Sequence, residues 1–339
     1  MVDVFLDKRL DDYFTTHEWS DIARSDSARD AVLNDFLTEK LAVLHGLDTD
    51  KIDFEFLENV RFPQTWGMKK FQFTDLLMVA RAGKHEGLYA QVLDHTFRGD
   101  QQRFDYFIDQ LGIIEQLAES LLGRLLGDLT LGTKIMVARF SETRMENLHY
   151  DIDENSDDHE AFRLYVNLDA YPRIWSTSYT VSRLLREGGQ RLLGGIDPNE
   201  RAEIILKRAI GRAYGGWNQR ATERRAPRHQ VYFDPGDVWI VDGRSVSHQV
   251  LSGHRVLSIY ARIPHAENPR LKPTFAEKIR SAFAEGMKVP VGQETAEVNY
   301  FPPAAITGPP NLRDEWSEVF GQTRTGRIRR FDDAGMTVV

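Results

Sequence analysis

Apolar and polar positions along the chain follow two rhythms, and the change comes near residue 130. Upstream, "SDSARDAVLNDFLTEKLAVLHG" opens on Ser and Asp cap candidates, repeats apolar residues at helical spacing and stops at Gly46. "DQQRFDYFIDQLGIIEQLAESLLGRLLGD" repeats that pattern, weakened slightly by the interior Gly112. Between them, "ENVRFPQTWGMKKFQFTDLLMVARAG" has no clear period and could supply an extra strand. Downstream, "GTKIMVARFSE", "NLHYDID", "AFRLYVNLDAY", "RHQVYFDPGDVWIVDG" and "RVLSIYARI" are short, rich in β-branched and aromatic residues, and bounded by turn residues. "DPGD", Asp234 to Asp237, reads as a tight turn between two strands. No internal repeat is visible. The pattern predicts an α+β, mainly β chain, with a barrel or sandwich dressed by N-terminal helices. The predicted division is a mostly helical region at 1–126 packed on the core, a β core at 127–264 interrupted by a helical insertion at about 177–228, and a C-terminal extension at 265–339. The extension holds one helix, "PTFAEKIRSAFAEG", and a Pro/Gly-punctuated tail that would fold as a lid or stay mobile.

Chemistry enters with "NLHYDIDENSDD". One residue separates His149 from Asp151, so on a strand both side chains leave the same face. An imidazole and a carboxylate so placed make two thirds of a metal site. The third candidate is His248, in "WIVDGRSVSHQVLSGHRVLSIYARI", read as the end of a strand that starts at "VYFDPGDVW". Two histidines and one carboxylate suit octahedral Fe(II), because three positions stay open for a bidentate co-substrate and O2. The bland alternative is a half-buried strand histidine and a satisfied turn histidine.

Oxygenases that use 2-oxoglutarate need a fixed cation for its distal carboxylate, which arginine holds bidentately. Arg255 opens the strand after His248; Arg262, on the opposite parity of that strand, and Arg163 compete for the role. In "AFRLYVNL", Arg163, Tyr165 and Asn167 share one face, while Phe162, Leu164, Val166 and Leu168 share the other. Such a polar row suits a cavity wall, or else faces solvent.

Composition narrows the choices. The chain has 339 residues, 41% of them hydrophobic, enough for a sizeable core in one domain or two. It has no cysteine, so disulfides, zinc ribbons, iron–sulfur clusters and thiol nucleophiles are excluded and a metal must be held by His, Asp or Glu. A formal charge of −8 argues against a general nucleic-acid binder. No apolar run approaches a membrane span, and "MVDVFLDKRLDDYF" lacks the apolar stretch of a signal peptide, so a cytoplasmic location is expected.

The order HxD, then R-x-aromatic-x-N-aliphatic, then "PRIW", then "FDPGDVWIVDGRSVSHQVLSG" resembles the Fe(II)/2-oxoglutarate-dependent dioxygenases, and among them the Kdo hydroxylases, which act on the 3-deoxy-octulosonic sugar acid of lipopolysaccharide. The resemblance covers about 130–264. It implies a double-stranded β-helix (jelly-roll, cupin-like) with His149, Asp151 and His248 on Fe(II), and 2-oxoglutarate and O2 as co-substrates. It also implies hydroxylation, or another oxidation, at an unactivated C–H. Asp151 favours hydroxylation over halogenation, since iron halogenases of this class lack the carboxylate. Two departures concern the substrate: the acid-rich "DENSDDHEA" replaces a basic loop, and the C-terminal tail is long.

The expected substrate is a small anionic or polar molecule, such as a sugar acid or an amino-acid-like natural-product intermediate. A peptide or protein side chain, or a non-oxygenase metal-binding cupin, is the alternative. Arg224 and Arg225 belong to a basic run at 207–229 that would attract an anion or else form a solvated helix face. Trp175 and Tyr179 would line a substrate pocket or else be plain core. The acids from Asp153 to Glu160 would form a solvated loop at the rim, or else greet an amine. No nucleic acid or membrane partner is expected, and a homodimer stays open.

Overall fold

The fold comes from a computed structural model that describes residues 2–62, 71–140, 148–152, 156–214, 226–298, 300, 329–332 and 335–338. Its strands are, in chain order, β1 (Asp3–Phe5), β2 (Phe14–Glu18), β3 (Leu41–His45), β4 (Thr133–Phe140), β5 (His159–Asn167), β6 (Arg173–Thr180), β7 (His229–Phe233), β8 (Val238–Val241), β9 (Val246–Ser252) and β10 (Arg255–Pro264). Four form one sheet in the order β1-β7-β6-β9, and six form the other, β2-β3-β8-β5-β10-β4. Every pairing in the two sheets is antiparallel except β2 with β3. A separate hairpin joins Arg329–Asp332 to Gly335–Val338. The helices are α1 (Trp19–Arg24), α2 (Asp26–Leu37), α3 (Phe54–Glu58), α4 (Phe73–Arg81), α5 (Leu88–Thr96), α6 (Gln101–Leu126), α7 (Val181–Leu193), α8 (Ala202–Tyr214) and α9 (Phe275–Gly286).

Side-chain alternation on the strands sorts the interior into layers. On β5, Phe162, Leu164 and Val166 join Leu257, Ile259, Ala261 and Ile263 of β10 in a core shared with the N-terminal helices, including Phe36, Phe104 and Leu121. The opposite parity faces the second sheet: Tyr165, Trp239, Val241 and Val256 meet Trp175, Val231, Phe233, Val246 and Val250 in one core. Residues of both sheets share that core, so the sheets lie face to face. A third core belongs to α7, α8 and α9 and takes in Tyr150, Ile152 and Tyr179.

The local signals explain most of these elements. Ser25 caps α2 and Asp100 caps α6, each side chain accepting from a backbone N–H of the first turn. Thr274 and Glu277 cap α9 reciprocally. The predicted turn at "DPGD" forms between β7 and β8, with Gly236 at φ 80° and Asp237 N–H donating to the Asp234 carbonyl.

The structure corrects several expectations. The region up to 126 is not simply helical: β1, β2 and β3 enter both sheets. "LAVLH" is a strand rather than the end of a helix, because it sits between β2 and β8 with Leu41 to Leu44 buried, and Glu39 at φ 62° ends the helical run before it. A strand buried on both faces reads as a continuous apolar run, which a helix end also can. The insertion begins later than 177, since β6 runs to Thr180. His248 lies within β9 rather than at a strand end, and the described residues 148–152 of "NLHYDID" contribute one isolated bridge, His149 to His248.

Candidate metal centre

The bridge positions the first two candidate ligands. His149 N–H donates to the His248 carbonyl at 3.0 Å, and His248 N–H donates back at 2.9 Å. Asp151 N–H then donates to the Gly243 carbonyl at 2.7 Å. The alternating side chains Tyr150 and Ile152 bury in the α7–α9 core, leaving His149 and Asp151 for the other side. There the ligand atoms of His149, Asp151 and His248 all lie within 4.8 Å of one another. Each histidine Nε2 is 3.5 Å from a different oxygen of Asp151.

Three surroundings prepare these groups for a cation. His248 Nδ1 is 3.1 Å from the Val246 carbonyl, which favours the tautomer with a proton there and a lone pair on Nε2. The Trp175 ring stacks on His248, centroids 5.1 Å apart and 18° from parallel, and fixes its plane. Burial alone would raise the Asp151 pKa, but the charge of Arg163 beside it, with the close approach of both imidazoles, outweighs it and holds the carboxyl well below the usual range. The carboxylate is thus ionised.

Gly243 forms the floor. A Cβ at this position would lie 2.8 Å from Asp151 Oδ2 and 3.2 Å from both Arg163 Nε and His248 Cε1. The bare backbone therefore keeps open the space in which the three ligand atoms converge. Two imidazoles and one carboxylate around such a cradle fit a borderline divalent metal such as Fe(II).

The arginines divide by strand parity. Arg163 lies on the inward face, with Nε 3.3 Å from Asp151 Oδ2 and its guanidinium 4.7 Å from the centre of the Tyr260 ring. Arg262 shares that inward parity, opposite Ala161, and is exposed. Arg255, expected to serve the co-substrate, turns the other way. It shares the parity of Leu257 and Ile259, pairs with Glu58 at 2.8 Å, and donates to the Glu58 and Val60 carbonyls behind the sheet.

Other expected site residues are committed to structure. Asn167 donates to the Tyr171 and Phe233 carbonyls and accepts from Asp169 N–H, so it braces the strand ends. Tyr165 stacks on Trp239 between the sheets. Trp175 is core and ligand support rather than pocket wall, at 2% exposure. Tyr179 lies in the helical core, where its hydroxyl accepts from Glu297 N–H. Arg224 and Arg225 lie outside the described residues. The described helices of the insertion pack on the far side of the ligand segment. Sequence reading missed Gly243 and Tyr260. The signal for Gly243 was a glycine between Asp and Arg in the turn before His248; for Tyr260, it was shared parity with Arg262.

No helix among the described residues is long and apolar enough to cross a membrane. Neither a protein-family model nor a curated protein matches the chain. Solved structures do. The Kdo hydroxylase KdoO, a non-heme Fe(II) alphaketoglutarate dependent dioxygenase in complex with succinate and Fe(III), matches with a TM-score of 0.52 at 13% identity, over 80% of this chain and 96% of that one. Its complex with alphaketoglutarate and Fe(III) gives the same values, and its cobalt(II) complex gives a TM-score of 0.51 at the same identity and coverage. At this identity the likeness is one of architecture: the chain has the fold of these KdoO structures.

Proposed function

We propose that the chain is an Fe(II)- and 2-oxoglutarate-dependent oxygenase, built on a double-stranded β-helix, that hydroxylates a C–H bond of a small polar or anionic molecule. A sugar acid is the first class to test, since KdoO is a Kdo hydroxylase. The observation that carries the reading is the convergence of His149, Asp151 and His248 over the bare backbone of Gly243. These three residues would hold Fe(II), which when bound supplies O2 activation coupled to the oxidative decarboxylation of 2-oxoglutarate.

The chain's own residues have distinct tasks. Val246 and Trp175 hold His248 in one tautomer and one plane. Arg163, beside Asp151, keeps that carboxylate ionised and would meet the anionic co-substrate; Arg262, farther out on the same face, is the alternative. The aromatic core of Tyr165, Trp175, Phe233 and Trp239 excludes water from behind the ligands.

The test is succinate formation from 2-oxoglutarate by purified protein with Fe(II), O2 and a panel of sugar acids including Kdo. Product should be coupled to succinate, and His149→Ala or His248→Ala should cut the rate by more than about 100-fold, beyond the 10–100-fold that loss of a supporting residue costs. Iron binding with no succinate under any condition would overturn the oxygenase reading in favour of a metal-binding cupin.

A further inference from the structure

The turn between β8 and β9 does more for Asp151 than supply Gly243. Its next residue, Arg244, is fully buried, and its guanidinium uses all five N–H donors. Nε donates to Asp242 Oδ1 at 3.0 Å and Nη2 to Asp242 Oδ2 at 2.8 Å. Nη2 also donates to Glu160 Oε2 at 3.0 Å, and Nη1 donates to the Ser156 and His159 carbonyls at 2.8 Å each. The Phe275 ring closes one face, 4.3 Å away. One side chain thus ties the turn that cradles Asp151 to the segment that follows Asp151 in the chain.

Stability alone is a poor account of this arrangement. Asp242, Glu160 and Arg244 are all removed from water, and buried ion networks are often matched or surpassed in stability by apolar side chains of similar volume. What a planar fork with five fixed acceptors supplies is geometry. The Gly243 carbonyl and Cα, which set the height and rotation of Asp151, lie between two anchored residues, Asp242 and Arg244.

We infer that Arg244 is a positioning residue that sets the Asp151 carboxylate for the metal through the Asp242–Ser245 turn. The inference rests on the metal reading given above. It also predicts that the guanidinium shape matters, beyond its charge, because lysine offers three donors on a flexible stem in place of five in a plane.

Cobalt(II) titration, followed by its visible ligand-field absorption, tests it without turnover. Wild-type protein should bind cobalt with one spectrum. Arg244→Lys, which keeps the buried charge, should bind roughly 10–100-fold more weakly and with altered bands. Arg173→Met supplies the control: this arginine is 2% exposed and pairs with Asp169, so its loss should lower the Tm and leave cobalt affinity and spectrum unchanged. Should Arg244→Lys not fold, Arg244→Met combined with Asp242→Asn, Glu160→Gln and Lys278→Met removes the buried charges of the network together, and the same loss of affinity is expected. A folded Arg244 variant with wild-type affinity and spectrum overturns the inference and spares the metal reading. Wild-type protein that binds no cobalt overturns both.

Discussion

At the scale of single residues, one missing methyl group decides whether the ligands can converge. Gly243→Ala would place a Cβ 2.8 Å from Asp151 Oδ2, closer than real Cβ atoms come, and the carboxylate must move. The expected result is metal affinity lowered by about tenfold or more, in the range that displaced ligand supports cost. Calorimetric metal titration checks it, and unchanged affinity would show that the site relaxes around the methyl. Residue identity was legible where a rule of alternation applied. His149 and Asp151 share a face, and Arg163, Tyr165 and Asn167 share the inward parity of β5, as their spacing implies. Arg255 could not be placed by parity, which gives two faces and not which one is inside. Helices cover the outer face of the six-stranded sheet, so both faces of β10 carry buried side chains and its polarity pattern is mute. Asn167 looked like a ligand-facing polar group for a related reason: burial of a polar side chain signals a partner, and here that partner is the backbone.

At the scale of elements, the ligand segment works as a strand with a single bridge and two dissimilar faces. Ile152 is 5% exposed in the α7–α9 core, so Ile152→Ala should destabilise the protein by about 2–5 kcal/mol. It should also weaken metal binding, because the same backbone carries Asp151. Ile205→Ala in α8, fully buried in that core and remote in sequence, should lower the Tm alone. Chemical denaturation paired with metal titration separates the two outcomes, and equal metal affinity in both variants would show that the segment is held by its hydrogen bonds to His248 and Gly243 instead. Among elements, the long α6, the capped α9 and the turn at "DPGD" were readable from local signals. β3 and β6 were not, since β3 owes its state to pairing with β2 and β8, and β6 to pairing with β7 and β9. Long-range pairing leaves little trace in a local window.

At the scale of the whole molecule, the N-terminal segment joins both sheets. β1 lies on β7 in one, β2 and β3 extend the other, and His229 fastens the connection between them. Its Nδ1 accepts from Asp7 N–H at 2.9 Å, so Nε2 carries the proton and donates to the Asp11 carbonyl at 2.9 Å. Burial lowers the His229 pKa below its usual 6.5. The neutral ring is the one that fits, so its contribution is complete above pH 6.5 and declines as pH falls through the lowered value. His229→Gln should therefore flatten part of the loss of Tm between neutral pH and about pH 5; an undiminished slope would assign that loss to other groups. The same weave has a consequence for how the chain is made. Asp3 pairs with Tyr232 and Ala42 with Ile240, so the strands that leave the ribosome first wait for partners encoded some two hundred residues later. β1 and β3 gain these partners only once β7 and β8 have emerged. Until then β1 and the outer edge of β3 are unpaired strand edges of the kind that chaperones shield.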